Sequence, residues 1–258
     1  MINTDINDAV LKAQLLVANS SKITILTGAG ISTDSGIPDF RGPNGLWTKN
    51  PDAERAATLQ FYLQDAELRR AAWQNRVKWI NNNPQPNVGH LALLSIERRG
   101  ALNALITQNV DELHQRAGNN PSKVLEVHGS VHRTCCWGCK DRRPMAEALA
   151  RVLAGDSDPK CELCSGVLKS DTILFGQSLD EEVMQQAMQA SSECEVFLAV
   201  GSSLSVFPAC NTLPRAKSCG AKIIILNGQP TEMDKYADVS VTAQISEVLP
   251  QICSVVNS

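Results

Sequence analysis

Two pairs of cysteines at C-x-x-C spacing, one in CCWGC (135–139) and one in CELC (161–164), leave 21 residues between their inner members. Each pair can present two thiolates from one tight turn, and two such turns complete a tetrahedral four-sulfur shell for Zn²⁺. The pairing that keeps this spacing joins Cys136 and Cys139 with Cys161 and Cys164, and leaves Cys135 out of register. Four thiolates close the shell and leave no position for an activated water, so the expected zinc is structural. A redox C-x-x-C and cysteines without metal are the competing readings. Cys194, Cys210, Cys219 and Cys253 lie in apolar contexts and are expected to be small buried hydrophobes.

A second chemistry is written in GAGISTDSGIPDFRGPNGLW (28–47). The apolar run Ile23 to Leu26 reads as a buried strand, and Gly28, Ala29 and Gly30 follow it at once. In the dinucleotide turn G-x-G-x-x-G, a third glycine lets the next helix pack on the strand. Here that place holds Thr33, and a loop rich in Gly and Pro follows, armed with Asp39, Phe40 and Arg41. Polar groups also follow other strand-like runs. Gln108, Asn109 and Asp111 lie beyond Ile106-Thr107, His128 beyond Val127, and Gly201, Ser202 and Ser203 beyond Val200. A Gly-Ser-Ser stretch can aim N–H groups and hydroxyls at a phosphate. Asn227, before Gly228, suits an amide contacting a ribose or a base.

Each of these has a plainer alternative. Asp111 can cap the helix that follows, His128 can be a turn histidine, the serines can form an N-cap, and Asn-Gly is a strong turn signal. His90 and His114 fall inside predicted helices and His132 beside the cysteines, so none of the three is expected at the site. No acid ends a second strand about 20 residues after the glycines, so the ordinary hold on a dinucleotide's ribose is missing.

The elements that must position these groups alternate. Strand-like runs cover Ile23 to Thr27, Leu102 to Thr107, Val124 to Val127, Val196 to Val200, Ile223 to Leu226 and, more weakly, Val239 to Val241. Helical patterns cover 5–19, 87–99, 111–117, 180–191, 208–218 and 244–256. Short apolar strands alternating with helices predict an α/β fold, a doubly wound parallel sheet covered on both faces. Two stretches break the alternation: 37–84, helical around 53–80, and 131–170, which holds five of the nine cysteines. Both read as insertions. The expected organisation is a large lobe of residues 1–36, 85–130 and 171–258, with a small lobe of 37–84 and 131–170. A ligand should sit between them at the carboxyl ends of the strands.

The chain has 258 residues, 43% of them hydrophobic and 20% charged, with a net charge of −3. That balance suits a globular enzyme and gives no broad basic surface, so nucleic acid is not an expected partner. Arg69-Arg70 and Arg98-Arg99 read as solvated helix faces. The first twenty residues carry acids and no basic leader, and no apolar run approaches membrane-spanning length. A cytoplasmic location is the expectation, where thiols stay reduced.

GAGISTDSGIPDFRGPNGLW, TQNVDELHQRAG, LEVHGS, the two C-x-x-C pairs, ILFGQ, VGSSLSVFPA and IILN occur in the order found in sirtuins, most similarly in bacterial members. The likeness runs from about residue 20 to the C-terminus. The resemblance implies an inverted Rossmann-like domain carrying a small zinc-binding and helical module, and an NAD-dependent protein lysine deacylase. Such an enzyme converts acyl-lysine and NAD to lysine, nicotinamide and O-acyl-ADP-ribose. It further implies that Gly28, Ala29 and Gly30 hold the pyrophosphate and that the loop with Asp39, Phe40, Arg41 and Trp47 closes over NAD. By the same resemblance Gln108, Asn109, Val110 and Asp111 line the nicotinamide-ribose pocket, with Asn109 also taking part in catalysis. Gly201, Ser202 and Ser203 meet the phosphates, Asn227 and Gly228 the adenosine side, and His128 is the general base. Ile173, Leu174, Phe175 and Gly176 would line the acyl-lysine channel and pair with substrate as an added strand.

Sirtuins that prefer acidic acyl groups resemble one another in a Tyr-x-x-Arg pair. The corresponding stretch here reads Trp73-Gln74-Asn75-Arg76. Trp73 and Arg76 are therefore candidate substrate-binding residues: Arg76 could pair with a carboxylate, whereas Trp73 offers no phenol and is alternatively core, on one helix face with Val77 and Ile80. Acetyl is therefore the first expected acyl group, with succinyl-type groups open. A mono-ADP-ribosyltransferase or NAD glycohydrolase using the same pocket, and a non-catalytic NAD sensor, are the other functions weighed.

Overall fold

Ile23–Thr27 and Val196–Val200 are buried at every position, as strands covered on both faces must be. In the computed structural model, which describes residues 4–39, 45 and 55–254, they lie side by side at the centre of a six-stranded parallel sheet. The strands in chain order are β1 (Ile23–Thr27), β2 (Leu102–Thr107), β3 (Val124–Glu126), β4 (Gly129–Cys136), β5 (Arg142–Pro144), β6 (Leu168–Thr172), β7 (Val196–Val200), β8 (Lys222–Asn227) and β9 (Val239–Thr242). The helices are α1 (Thr4–Ala18), α2 (Leu59–Gln64), α3 (Ala66–Asn82), α4 (Val88–Arg98), α5 (Leu113–Ala117), α6 (Met145–Leu153), α7 (Glu181–Glu193), α8 (Thr212–Ser218) and α9 (Ile245–Cys253).

The large sheet runs β3-β2-β1-β7-β8-β9. One face packs on α1, α4 and α9 through Val17, Leu93, Ile96, Val248 and Leu249, and the other on α7 and α8 through Ala187, Leu213 and Ala216. This is the expected doubly wound arrangement. Strand order reverses between β1 and β7, and there the carboxyl ends open a crevice. The glycine turn and Gly-Ser-Ser therefore face each other across it.

The second insertion is better organised than its sequence suggests. β4, β5 and β6 form an antiparallel sheet in the order β5-β4-β6, and α6 packs on it. α3, from the first insertion, joins that core: Trp73 is only 2% exposed among Cys136, Met145, Leu149, Val152 and Leu168, with Val77 and Ile80 at its edge. The expected lobe boundaries at 130/131 and 170/171 fall inside paired strands, since Gly129 pairs with Thr172 and Ser130 with Asp171.

Two expectations about single residues need correction. Arg69 is buried, and its guanidinium holds Asp158 at 2.9 Å and the carbonyls of Tyr62 and Leu63 at 3.0 and 2.9 Å. It ties α3 to the second insertion, because a buried cation must find an anion. Cys219 is exposed at the end of α8, whereas Cys194, Cys210 and Cys253 are buried as expected.

Candidate active site and metal centre

Backbone approaches backbone at the crevice. Gly28 N–H donates to the Val200 carbonyl at 3.0 Å, and Gly30 N–H to that of Gly201 at 2.8 Å. A Cβ on Gly28 would stand 2.7 Å from the Gly201 oxygen, and one on Gly30 2.8 Å from the Gly201 Cα. The glycines are thus required first for docking the two loops. That docking fixes the Gly-Ser-Ser backbone: the Ser202 and Ser203 N–H groups have no protein acceptor among the described residues and could donate to an anion.

Behind the loops lies a buried polar cluster. Ser32 Oγ donates to Asp111 Oδ2 at 2.8 Å and accepts from Asn109 Nδ2 at 3.1 Å. Asp111 Oδ1 accepts the Leu113 N–H at 3.0 Å, so this carboxylate both braces the start of α5 and meets the site. Burial pushes the Asp111 carboxyl above its usual range, against those same hydrogen bonds. Gln108 Nε2 donates to Ser202 Oγ at 2.8 Å, bridging β2 to β7 across the crevice. Val110 anchors β4, its carbonyl accepting the Val131 N–H at 2.9 Å.

His128 follows β3, and its Nδ1 lies 3.0 Å from the Gln108 carbonyl. A carbonyl only accepts, so Nδ1 carries the proton and Nε2 keeps its lone pair. Burial lowers the His128 pKa, partly offset by that bond, and the ring is neutral at pH 7. A neutral imidazole with a fixed tautomer, and with no partner for Nε2 among the described residues, is equipped to accept a proton.

Ile173 N–H donates to the His128 carbonyl at 2.9 Å, so the ILFG segment begins beside the histidine. Its backbone is largely engaged. Phe175 pairs with Ala57 and Leu59 at 2.8 and 3.0 Å, and the Leu174 carbonyl takes the Gln177 N–H at 2.9 Å. Trp73 is sealed in the small core, and Arg76 donates to Ser170 Oγ at 2.9 Å on β6. At the end of β8, the Asn227 amide donates to the Gln229 carbonyl at 2.9 Å, and the space around Gly228 is open. Ser203 is exposed, its hydroxyl 2.8 Å from that of Ser205. Phe40, Arg41 and Trp47 lie outside the described residues; Asp39 is described, beyond the turn at Gly36.

Sequence reasoning missed the layer under this site. His90 caps its own helix through Asn87, and its Nε2 is 3.5 Å from Ser32 Oγ. His114 Nε2 is 2.9 Å from Thr27 Oγ1, and the two imidazoles meet tilted at 56° with centroids 4.9 Å apart. Burial pushes the His90 pKa down to about 4 and holds His114 well below the usual value. The Asn-x-x-His spacing at 87–90 and threonines ending two adjacent apolar strands were the available signals.

The four expected cysteines converge, with ligand sulfurs all within 4.8 Å of one another. The Cys136–Cys164 and Cys139–Cys161 sulfurs are 3.5 and 3.6 Å apart. Zinc–sulfur bonds of about 2.3 Å give tetrahedral edges of about 3.8 Å, so the set fits one zinc ion. A Cβ on Gly166 would stand 3.1 and 3.2 Å from the Cys164 and Cys136 sulfurs, which explains the glycine between the knuckles. Cys135 stays outside the set and bonds the Cys136 carbonyl.

A family model described as the Sir2 family matches residues 28–208. NAD-dependent protein deacetylase 2 of Streptomyces coelicolor is 46% identical over 230 residues, which is 89% of this chain and 95% of that protein. A chain solved to explain the mechanism and regulation of Sir2 enzymes superposes with a TM-score of 0.86 at 37% identity, over 96% of this chain and 97% of its own. A Sir2 solved with a p53 peptide and NAD⁺ has a TM-score of 0.80 at 30% identity, over 98% and 97%.

Proposed function

The chain belongs to the Sir2 family, and from that membership we infer that it is an NAD-dependent protein lysine deacylase. Acyl-lysine proteins are its substrates, NAD its co-substrate and one zinc ion its structural metal. NAD supplies a glycosidic bond whose cleavage releases nicotinamide and leaves ADP-ribose to take the acyl group. The remaining roles fall to this chain's residues.

The observation that carries the reading is His128, a half-buried neutral imidazole whose Nδ1–H is tied to the Gln108 carbonyl. Its Nε2 is read as the general base that takes a hydroxyl proton. Asn109, Asp111, Gln108 and Val110 are read as the nicotinamide-ribose pocket, where fixed dipoles shielded from water stabilise developing charge. Gly28 to Gly30 with Gly201 to Ser203 would hold the phosphates, and Asn227 and Gly228 the adenosine side. A zinc ion held by Cys136, Cys139, Cys161 and Cys164 would close the small lobe and would touch no reacting atom, because four thiolates leave no open position. The lobes are read as 1–36, 85–130 and 171–258 against 37–84 and 131–170, with the β4–β6 ladder crossing between them.

Acetyl is the first acyl group in this reading. Arg76 supports a second: among the described residues it has no carboxylate partner and one hydrogen bond, to Ser170. It retains donors for a carboxylated acyl chain. No described helix is long and apolar enough to cross a membrane. The four-thiol metal site suits the reducing cytoplasm, the location we assign.

The test is nicotinamide release by the purified protein with and without acetyl-lysine and succinyl-lysine peptides. Release that requires peptide and matches deacylated lysine one for one is expected. Release without peptide would replace the deacylase with a glycohydrolase or transferase. Faster loss of succinyl than acetyl, abolished in Arg76→Met, would reverse the acyl order.

A further inference from the structure

A chain of hydrogen bonds at the ends of β1 and β2 plays no part in the proposed chemistry, yet it leads straight to Asn109. Thr27 and Thr107 are the last residues of the two strands, stand in register and are buried. Thr27 Oγ1 donates to Thr107 Oγ1 at 2.9 Å, and Thr107 Oγ1 accepts the Asn109 N–H at 3.1 Å. His114 Nε2, reaching in from α5, lies 2.9 Å from Thr27 Oγ1. Thr27 has one hydroxyl proton and gives it to Thr107, so His114 can meet it only as an N–H donor. The neutral ring therefore carries its proton on Nε2 and a bare lone pair on Nδ1.

Among the described residues that buried Nδ1 has no partner. An apolar side chain of similar size would fill the position without orphaning a polar atom. The imidazole is explained by what its other nitrogen does. We propose that His114 is a positioning residue for Asn109. Through Thr27 and Thr107 it fixes the turn after β2, which aims the Asn109 amide at Ser32 and the Gln108 amide at Ser202. His114 touches neither substrate nor reacting atoms and acts only through the two threonines. The inference rests on reading that pocket as the NAD site.

The experiment compares His114→Ala, His114→Gln, Thr27→Val and the double variant His114→Ala/Thr27→Val. Gln supplies an amide N–H at a reach close to that of Nε2, and Val keeps the shape of Thr without its hydroxyl. NAD affinity is read by calorimetry, and kcat and KM for NAD and peptide by nicotinamide release. His114→Ala and Thr27→Val should each weaken NAD binding and lower kcat/KM for NAD about tenfold, as expected for one lost aligning hydrogen bond. KM for peptide should stay within about twofold, because the relay points at the NAD pocket alone. His114→Gln should return to within about threefold of the parent. The double variant should be no worse than His114→Ala, since the relay acts as a unit.

Three outcomes would overturn the proposal. One is a Gln variant as impaired as Ala, and another is a double variant whose losses multiply. The third is Thr27→Val with unchanged NAD affinity, which decides the matter even where His114→Ala fails to fold. Because calorimetry reads NAD alone, the relay is decided even in a protein that removes no acyl group.

Discussion

Replacing Gly201 by Ala should be among the most damaging single-methyl changes in the large sheet. Gly201 sits at φ +64°, and a Cβ there would stand 2.5 Å from Ile31 N and 2.8 Å from the Gly30 carbonyl carbon. Both neighbours are backbone, so no flexible side chain can yield. The left-handed conformation alone costs about 1 kcal/mol in an L-residue. Forcing the Gly28–Gly30 turn off β7 adds about 1–3 kcal/mol, the range for overpacking. Gly220→Ala is the control: it has φ +92° but nothing within 4 Å of the added Cβ, so the conformational term of about 1 kcal/mol stands alone. Urea unfolding should show the two variants differing by about 1–3 kcal/mol at unchanged m. Calorimetry should show Gly201→Ala losing about tenfold or more in NAD affinity, because the bonds of 3.0 and 2.8 Å that dock the two loops are pried apart. Equal destabilisation of the two variants, or full NAD affinity in a folded Gly201→Ala, would refute the docking argument.

The remaining predictions concern pH, metal and one buried ion pair. His90, His114 and His128 all have pKa values lowered by burial. The unfolded chain therefore binds protons that the folded chain refuses, and stability should be complete above about pH 6.5 and fall toward pH 4. Asp111, with its raised pKa, acts in the opposite sense near the acid end, so the comparison with His90→Gln isolates the histidine term. That variant should lose a slope of up to about 1.4 kcal/mol per pH unit, and an unchanged slope would contradict the assignment. Metal analysis should find one zinc per chain, and Cys161→Ser should lose it together with roughly 10 °C of thermal stability, against which a metal-free parent would count decisively. Arg69→Ala strands the Asp158 carboxylate, still 2.7 Å from Lys160, and should cost about 3 kcal/mol by urea unfolding, with a loss below about 0.5 kcal/mol contradicting a structural pair.

The strands were legible because burial on both faces leaves nearly continuous apolar runs, and the polar residues just beyond them stand out by contrast. The cysteine spacing was legible because it encodes a coordination shell. β4, β5 and β6 were not: GSVHRTCC, RRP and LKSDT are rich in polar residues, and consecutive positions of β4 and β6 are buried, so the alternation that marks a one-sided antiparallel strand is missing. Arg69 read as a solvated charge because its partner lies 89 residues away. His90 and His114 were assigned to helices correctly, but helical periodicity does not reveal that the two rings meet beneath Ser32 and Thr27. Trp73 was legible as core on its helix face, while the face it meets, the zinc module, belongs to a distant segment.

The central claim, that His128 Nε2 is the base of an NAD-dependent deacylation, is tested most directly by His128→Ala. Calorimetry should find NAD affinity within about threefold of the parent, while peptide deacylation falls more than about 100-fold, the usual worth of a positioned base. Near-normal deacylation by that variant would remove His128 from the mechanism and with it the account given of the site.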